Sequence, residues 1–341
     1  MTPAMQMVKR LTAARMLAIL NQGENSSLMK LLVMGAGAMG TTVGGFMALA
    51  GHDVTLIGRN PHIEALKSKG LLITGIWGEH TTRNFRAFTS TGELDDSRYD
   101  MILLAVKSYD TEHAAEQIKP LVDNNTLLCA YQNGLGNAET LAKYFGWERV
   151  LGARVIFGAR INHPGQVEVT VIAEPTAIGA YHNAISEKVA RAIADTMKEA
   201  GIPTIYTRQI QTILWSKVAY NCALNPLSAL LDAPYGQLAA QDFTRKIMDD
   251  VIHELYRVGN AMDIPLKPDA AGAYLEQFYN KLLPPTAAHY ASMREDLKKG
   301  RRTEIDALNG IIARFGRERG VACPANELLA ALIRARESSE R

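Results

Sequence analysis

The chain has 341 residues, is 47% hydrophobic and 21% charged, and carries a formal net charge of +2. That length argues for two domains, and the near-neutral balance offers no basic footprint for nucleic acid or a membrane surface. No apolar run of about 18 residues supplies a membrane span, and the three scattered cysteines, Cys129, Cys222 and Cys323, read as small buried residues in a reducing, cytoplasmic setting.

Residues 1–29 precede the first strand signal and read as a non-essential extension. A short helix over 12–21 and a Gly-Glu-Asn-Ser-Ser linker are expected there. Arg15 interrupts the apolar run and no small-residue cleavage site stands out, which argues against a targeting peptide. The strand 31–34 then runs into Gly35-Ala36-Gly37-Ala38-Met39-Gly40, with a helix expected over 41–50. Strand, G-x-G-x-x-G and helix in that order open a dinucleotide-binding βαβ unit. Gly35 allows the tight turn, Gly37 leaves room for a pyrophosphate, and Gly40 lets the helix pack close to the strand. The N–H groups of the helix start, at Ala38, Met39 and Gly40, would receive the phosphate charge.

A strand follows at 53–57 and a helix at 61–69, opened by proline. Segments 71–76 and 81–88 are expected to pair as an antiparallel excursion. The apolar run 99–107 reads as a strand covered on both faces, followed by a helix at 111–119, a strand at 126–132 and a helix at 136–145. Strands at 150–159 and 167–172 flank a turn at His163-Pro164-Gly165. A strand at 176–180, a helix at 187–200 and a strand at 203–206 complete the region. Beyond residue 208 only helical periodicity remains, over 209–231, 243–262, 269–281, 288–299, 303–316 and 325–336. The expected fold class is therefore α/β: an N-terminal Rossmann-type doubly wound sheet (30–208) followed by an all-α C-terminal domain (209–341).

The second strand ends Leu56-Ile57-Gly58-Arg59-Asn60, without the acid that usually accepts from a ribose 2′-OH. Arg59 just beyond it suits a 2′-phosphate, so NADP(H) is expected over NAD(H); the plain alternative is an exposed loop arginine. In 214–227, Lys217, Asn221 and Asn225 recur every four residues and line one stripe of a mostly apolar helix. Buried polar groups need partners, and a solvated face seldom uses two asparagines. Pro226 would disturb the backbone ladder at the end of the stripe. No histidine pair has metal spacing, so no metal is expected. His52 and His163 read as turn residues, structural and exposed respectively.

With GAGAMG at 35–40, LLAVKSYD at 103–110, QNG at 132–134, LWSKVAYNCALNPLSAL at 214–230 and SMREDLKKGRRTEIDALNG at 292–310, the chain resembles the ketopantoate reductase (2-dehydropantoate 2-reductase) family from about residue 29 to 337. The resemblance implies NADPH-dependent reduction of ketopantoate to pantoate, a step of pantothenate biosynthesis. It implies Lys217 as the catalytic lysine and Glu304 as the substrate-binding acid. It implies substrate contacts from Asn221, Asn225 and Ser292. Lys107 and Asn133 match positions lining the cofactor and active-site cleft, and Arg59 matches the arginine that binds the 2′-phosphate. The chemistry agrees: hydride delivery leaves charge on a carbonyl oxygen, and an ammonium there stabilises it and supplies the proton. Glu304 alone would read equally well as a helix-start acid.

Two other functions stay in view. One is a paralogue acting on another 2-keto acid or 2-hydroxy acid; the other is a non-catalytic NADP-binding regulator, against which the Lys217/Glu304 pair argues. The expected partner is a small 2-keto acid, with no nucleic acid and no membrane. The helical domain could bury a face in a homodimer, and a monomer fits equally.

Overall fold

The computed structural model describes residues 28–94 and 98–339, so the helix expected over 12–21 lies outside the described residues. The chain divides into two compact units, one of residues 1–132 and 137–210, the other of 133–136 and 211–341.

The first unit is built on strands β1 (Lys30–Met34), β2 (Asp53–Ile57), β3 (Leu71–Gly75), β4 (His80–Thr82), β5 (Phe85–Phe88), β6 (Met101–Leu104), β7 (Leu127–Ala130), β8 (Val150–Arg154), β9 (Phe157–His163), β10 (Gln166–Ile172), β11 (Thr176–Ala180) and β12 (Thr204–Tyr206). Its helices are α1 (Ala38–Leu49), α2 (His62–Lys69), α3 (Thr111–Ile118), α4 (Asn137–Phe145) and α5 (Glu187–Glu199). Eight strands form the main sheet in the order β12-β11-β8-β7-β6-β1-β2-β5. Neighbours are parallel except β8 and β11. The central strands β6 and β7, and β1 after Lys30, are uninterrupted apolar runs because helices cover both faces of a doubly wound sheet. Strand order reverses about β1, which lies between β2 and β6. Ligands of such sheets bind beyond the carboxyl ends of the strands at that point.

Two strand expectations are corrected. Segment 81–88 does not pair as a whole with 71–76: β4 is antiparallel to β3, while β5 joins the main sheet parallel to β2. The chain turns between them, where the Asn84 N–H donates to the Thr82 hydroxyl at 3.2 Å. Segment 150–159 likewise splits. β8 is wholly buried in the main sheet, whereas β9 forms an antiparallel hairpin with β10 in a second sheet, ordered β4-β3-β10-β9. Phe46 of α1, Trp77 and Phe157 of β9 pack ring to ring beneath that second sheet. Met29, counted above with the extension, is core. Its side chain is buried and its N–H donates to Nδ1 of His52 at 3.0 Å.

The second unit contains α6 (Ile210–Leu231, its first residue counted with the first unit), α7 (Tyr235–Ala239), α8 (Asp242–Ala261), α9 (Ala271–Gln277), α10 (Ser292–Lys298), α11 (Asn309–Arg319) and α12 (Pro324–Ser339). Helix α7 was not expected from the sequence. The helix expected over 288–299 shortens to α10 and ends before Gly300, which has φ +60°. The helix expected over 303–316 is a 3-10 turn, Ile305–Ala307, followed by α11. Helix α6 continues five residues past Pro226. Among the described residues no helix is long and apolar enough to cross a membrane, and no group of three or more His, Cys, Asp or Glu is placed to hold a metal. All three cysteines are buried and make no disulfide.

Candidate active site

In the first unit, the glycine run shapes the end of β1. Gly35 has φ +108°, and a Cβ there would lie 2.5 Å from the Val106 nitrogen. A Cβ on Gly40 would collide with the Gly35 carbonyl oxygen, so both positions need glycine for backbone to meet backbone. A Cβ on Gly37 would meet nothing within 4 Å, which leaves open space at the helix start. No side chain caps α1 and its first turn holds no acid. The first N–H of this turn bonded within the helix is that of Thr41, to the Gly37 carbonyl at 2.9 Å. The N–H groups of Ala38, Met39 and Gly40 precede that bond, at the positive end of the helix. This cradle fits a pyrophosphate.

Arg59 lies two residues beyond β2, is 88% exposed, and pairs with Asp110 at 3.1 Å. An exposed pair of this kind is weak, so the guanidinium can exchange that carboxylate for a phosphate. Lys107 is half-buried just before the 3-10 turn Ser108–Asp110. Beyond β7, the Gln132 amide donates to the Thr111 hydroxyl at 2.7 Å, while its Oε1 is buried without a hydrogen bond. That buried oxygen is an acceptor that a ligand amide or hydroxyl could satisfy.

In the second unit the chemistry rests on α6. Lys217 and Asn221 are half-buried and Asn225 is buried, among buried Val218, Ala219, Cys222, Ala223 and Leu224. The Lys217 ammonium donates to Oδ1 of Asn133 at 2.8 Å. Asn133 begins a short loop that packs on the 3-10 turn. The Leu135 N–H donates to the Ala307 carbonyl at 2.9 Å, and Gly134, with φ +85°, has no space for a Cβ against that same carbonyl. The Ala307 N–H in turn donates to the Glu304 carbonyl at 3.0 Å. Loop 133–136, the α6 stripe and the turn carrying Glu304 are thereby joined, although they are far apart in sequence.

Asn225 has a partner that sequence reasoning missed. The Tyr235 hydroxyl donates to Asn225 Oδ1 at 2.8 Å. Burial pushes the Tyr235 phenol well above the usual tyrosine range, so it keeps the proton it donates. With its oxygen occupied, the Asn225 amide is oriented to present N–H groups. Tyr235 opens α7, a helix too short to leave a periodic signal, and only an unexpected tyrosine after Pro234 marks it in the sequence. Ser292, the exposed first residue of α10, follows Ala291, whose N–H donates to Ser228 Oγ near the end of α6 at 3.2 Å. An ammonium and oriented amide donors on one helix, with a carboxylate on an adjoining turn, can hold an oxyanion, a carboxylate and a hydroxyl of one small substrate.

Family models match most of the chain: Ketopantoate reductase PanE/ApbA over residues 31–183, and Ketopantoate reductase PanE/ApbA C terminal over 209–337. The chain is 40% identical to the 2-dehydropantoate 2-reductase of Aquifex aeolicus, covering 91% of this chain and 97% of that protein. It is 35% identical to the enzyme of the same name from Pyrococcus horikoshii, covering 91% and 98%. Among solved structures, a PanE/ApbA family ketopantoate reductase from Ralstonia eutropha aligns with a TM-score of 0.81 at 32% identity, over 92% of this chain and 99% of that one. A D-mandelate dehydrogenase, solved with NADH and anilino(oxo)acetate, aligns with a TM-score of 0.80 at 27% identity and the same coverage. The glycine loop and the α6 stripe lie inside the two matched regions, and the chain belongs to the ketopantoate reductase PanE/ApbA family.

Proposed function

We propose that this protein reduces 2-dehydropantoate (ketopantoate) to pantoate with NADPH, and so serves pantothenate biosynthesis. The observation that carries the reading is the Lys217 ammonium, oriented by Asn133 on a helix whose same stripe carries Asn221 and the Tyr235-bound Asn225. NADPH, when bound, supplies the hydride. Gly35, Gly37, Ala38, Met39 and Gly40 receive its pyrophosphate, Arg59 its 2′-phosphate, and Lys107 and Asn133 line its position.

Lys217 is the general acid. Its ammonium holds the keto oxygen, stabilises the charge that develops there, and gives up the proton that completes the alcohol. Asn225 and Asn221 donate to the substrate carboxylate or hydroxyl, together with the Ser292 hydroxyl. Glu304 accepts from the substrate hydroxyl. Residues 30–208 form the cofactor domain and 209–341 the substrate domain, and deletion of residues 1–28 should leave turnover intact. A reducing, cytoplasmic setting is supported by the three unpaired, buried cysteines. A homodimer and a monomer both fit the helical unit, and sedimentation against the monomer mass would separate them.

A second reading, reduction of a different 2-keto acid or oxidation of a 2-hydroxy acid, is favoured by the likeness to D-mandelate dehydrogenase. The deciding experiment follows NADPH absorbance over a panel of 2-keto acids. Ketopantoate should be turned over far faster than pyruvate, 2-ketoisovalerate or phenylglyoxylate. A preference for any of the other three would move the assignment to the second reading, and no turnover of ketopantoate would remove the first.

A further inference from the structure

Helix α6 contains a backbone gap at the C-terminal end of its functional stripe. In an α-helix each carbonyl accepts from the N–H four residues on. The residue four beyond Cys222 is Pro226, which has no N–H. The helix nevertheless continues to Leu231, and Cys222 is fully buried, so water does not replace the missing donor there. The donor comes from another helix: the side-chain amide of Asn309, the first residue of α11, donates to the Cys222 carbonyl at 3.0 Å.

The orientation of that amide is fixed by its neighbours. Its second N–H donates to Oδ1 of Asn326 at 3.0 Å. Asn326 cannot be turned round, because its own amide donates to the Glu254 carboxylate at 2.8 Å and to the Val251 carbonyl at 3.3 Å. Glu254, on α8, also accepts the backbone N–H groups of Ala325 and Asn326 at 2.8 and 3.0 Å, and so caps the start of α12. Asn309 is fully buried, and its own oxygen has no hydrogen-bond partner. A buried amide with an unmet acceptor is costly. Both of its donors are used, and one of them goes to the carbonyl that Pro226 leaves unmet.

We propose that Asn309 is a positioning residue that substitutes for the missing Pro226 N–H, and so holds the turn of α6 that carries Asn221 and Asn225 in register with Lys217. Lys217 lies before the gap and Asn225 within it, so slackening the turn moves the Asn225 amide relative to the ammonium. This inference rests on the functional reading above for its kinetic consequence, but not for its structural one.

The test is a double-mutant cycle with Asn309→Ala and Pro226→Ala. Alanine at 226 restores the N–H and makes the Asn309 donor redundant for Cys222. In the wild-type background, Asn309→Ala should raise KM for ketopantoate about tenfold, with kcat and the KM for NADPH within about threefold. In the Pro226→Ala background the same substitution should change KM less than twofold. The fall in Tm should shrink in parallel. Equal losses in both backgrounds, in KM and in Tm, would overturn the proposal. If Asn309→Ala does not fold, the double variant decides: a folded, active protein supports the proposal, and an unfolded one overturns it. If wild-type protein does not turn over ketopantoate, the functional reading fails alone, and the Tm cycle still tests Asn309.

Discussion

The glycine loop at the end of β1 and the polar stripe of α6 solve different problems with different materials. The loop is made of backbone: Gly35 and Gly40 are there for what they lack, and the groups offered to a ligand are N–H groups of consecutive residues. The stripe is made of side chains, and each depends on a group outside the helix: Lys217 on Asn133, Asn225 on Tyr235, and the helix around them on Asn309. A backbone site is encoded where it stands, whereas a side-chain site is encoded in several places at once. Substitutions in the loop should therefore abolish cofactor binding, and those in the stripe should spare binding and damage turnover.

The largest effect on cofactor binding is expected at Gly40. Gly40→Val drives a branched side chain into the Gly35 carbonyl and the Val33 side chain. It should weaken NADPH binding by about a hundredfold or more, the order expected when backbone itself must shift. Fluorescence titration of NADPH measures this, and a near-normal Kd would mean that the loop does not form the pyrophosphate site. Arg59→Ala comes next. The NADPH Kd should rise about 10- to 100-fold, as for loss of a charge-assisted contact to phosphate, with NADH hardly affected. An equal effect on both cofactors would reduce Arg59 to an exposed partner of Asp110.

Tyr235→Phe probes the other region. It removes one hydroxyl, frees the Asn225 amide to rotate, and should raise KM for the keto acid about tenfold, the worth of one hydrogen bond. NADPH binding should be unchanged. If NADPH binding falls instead, the tyrosine supports the fold at large and not the amide.

The smallest effect is on stability against pH. Burial holds the His52 and His62 imidazoles below the usual histidine range. The unfolded chain therefore takes up protons first, near pH 6.5. Their contribution is fully present above that pH and is lost as pH falls towards the depressed folded values. The Glu187 and Asp232 carboxylates are held below the usual carboxylate range by Arg191, Arg208 and Arg294, so they act only at lower pH. Tm should fall modestly between pH 7.5 and 5.5, and less in His62→Gln. An unchanged slope in that variant would assign the loss elsewhere.

The same contrast explains how far the sequence could be read. Strands β1, β2 and β11 and the glycine loop are local patterns and lie where they were expected. Segments 81–88 and 150–159 were each read as one strand because periodicity is blind to a change of sheet. The Lys217-Asn221-Asn225 spacing was visible because it is helical. Tyr235 was not visible, because its role depends on a five-residue helix meeting the far end of α6. Pro226 reads as a disturbance of the backbone ladder, and only the tertiary fold shows Asn309 supplying the donor it lacks.

The most direct test of the account is a single-turnover experiment with NADPH-loaded enzyme mixed with saturating ketopantoate, in wild type and Lys217→Ala, followed at 340 nm. The account predicts rapid NADPH oxidation in the wild type and a loss of about 100- to 10,000-fold in the variant, with an unchanged NADPH Kd. Near-normal oxidation by Lys217→Ala would contradict it.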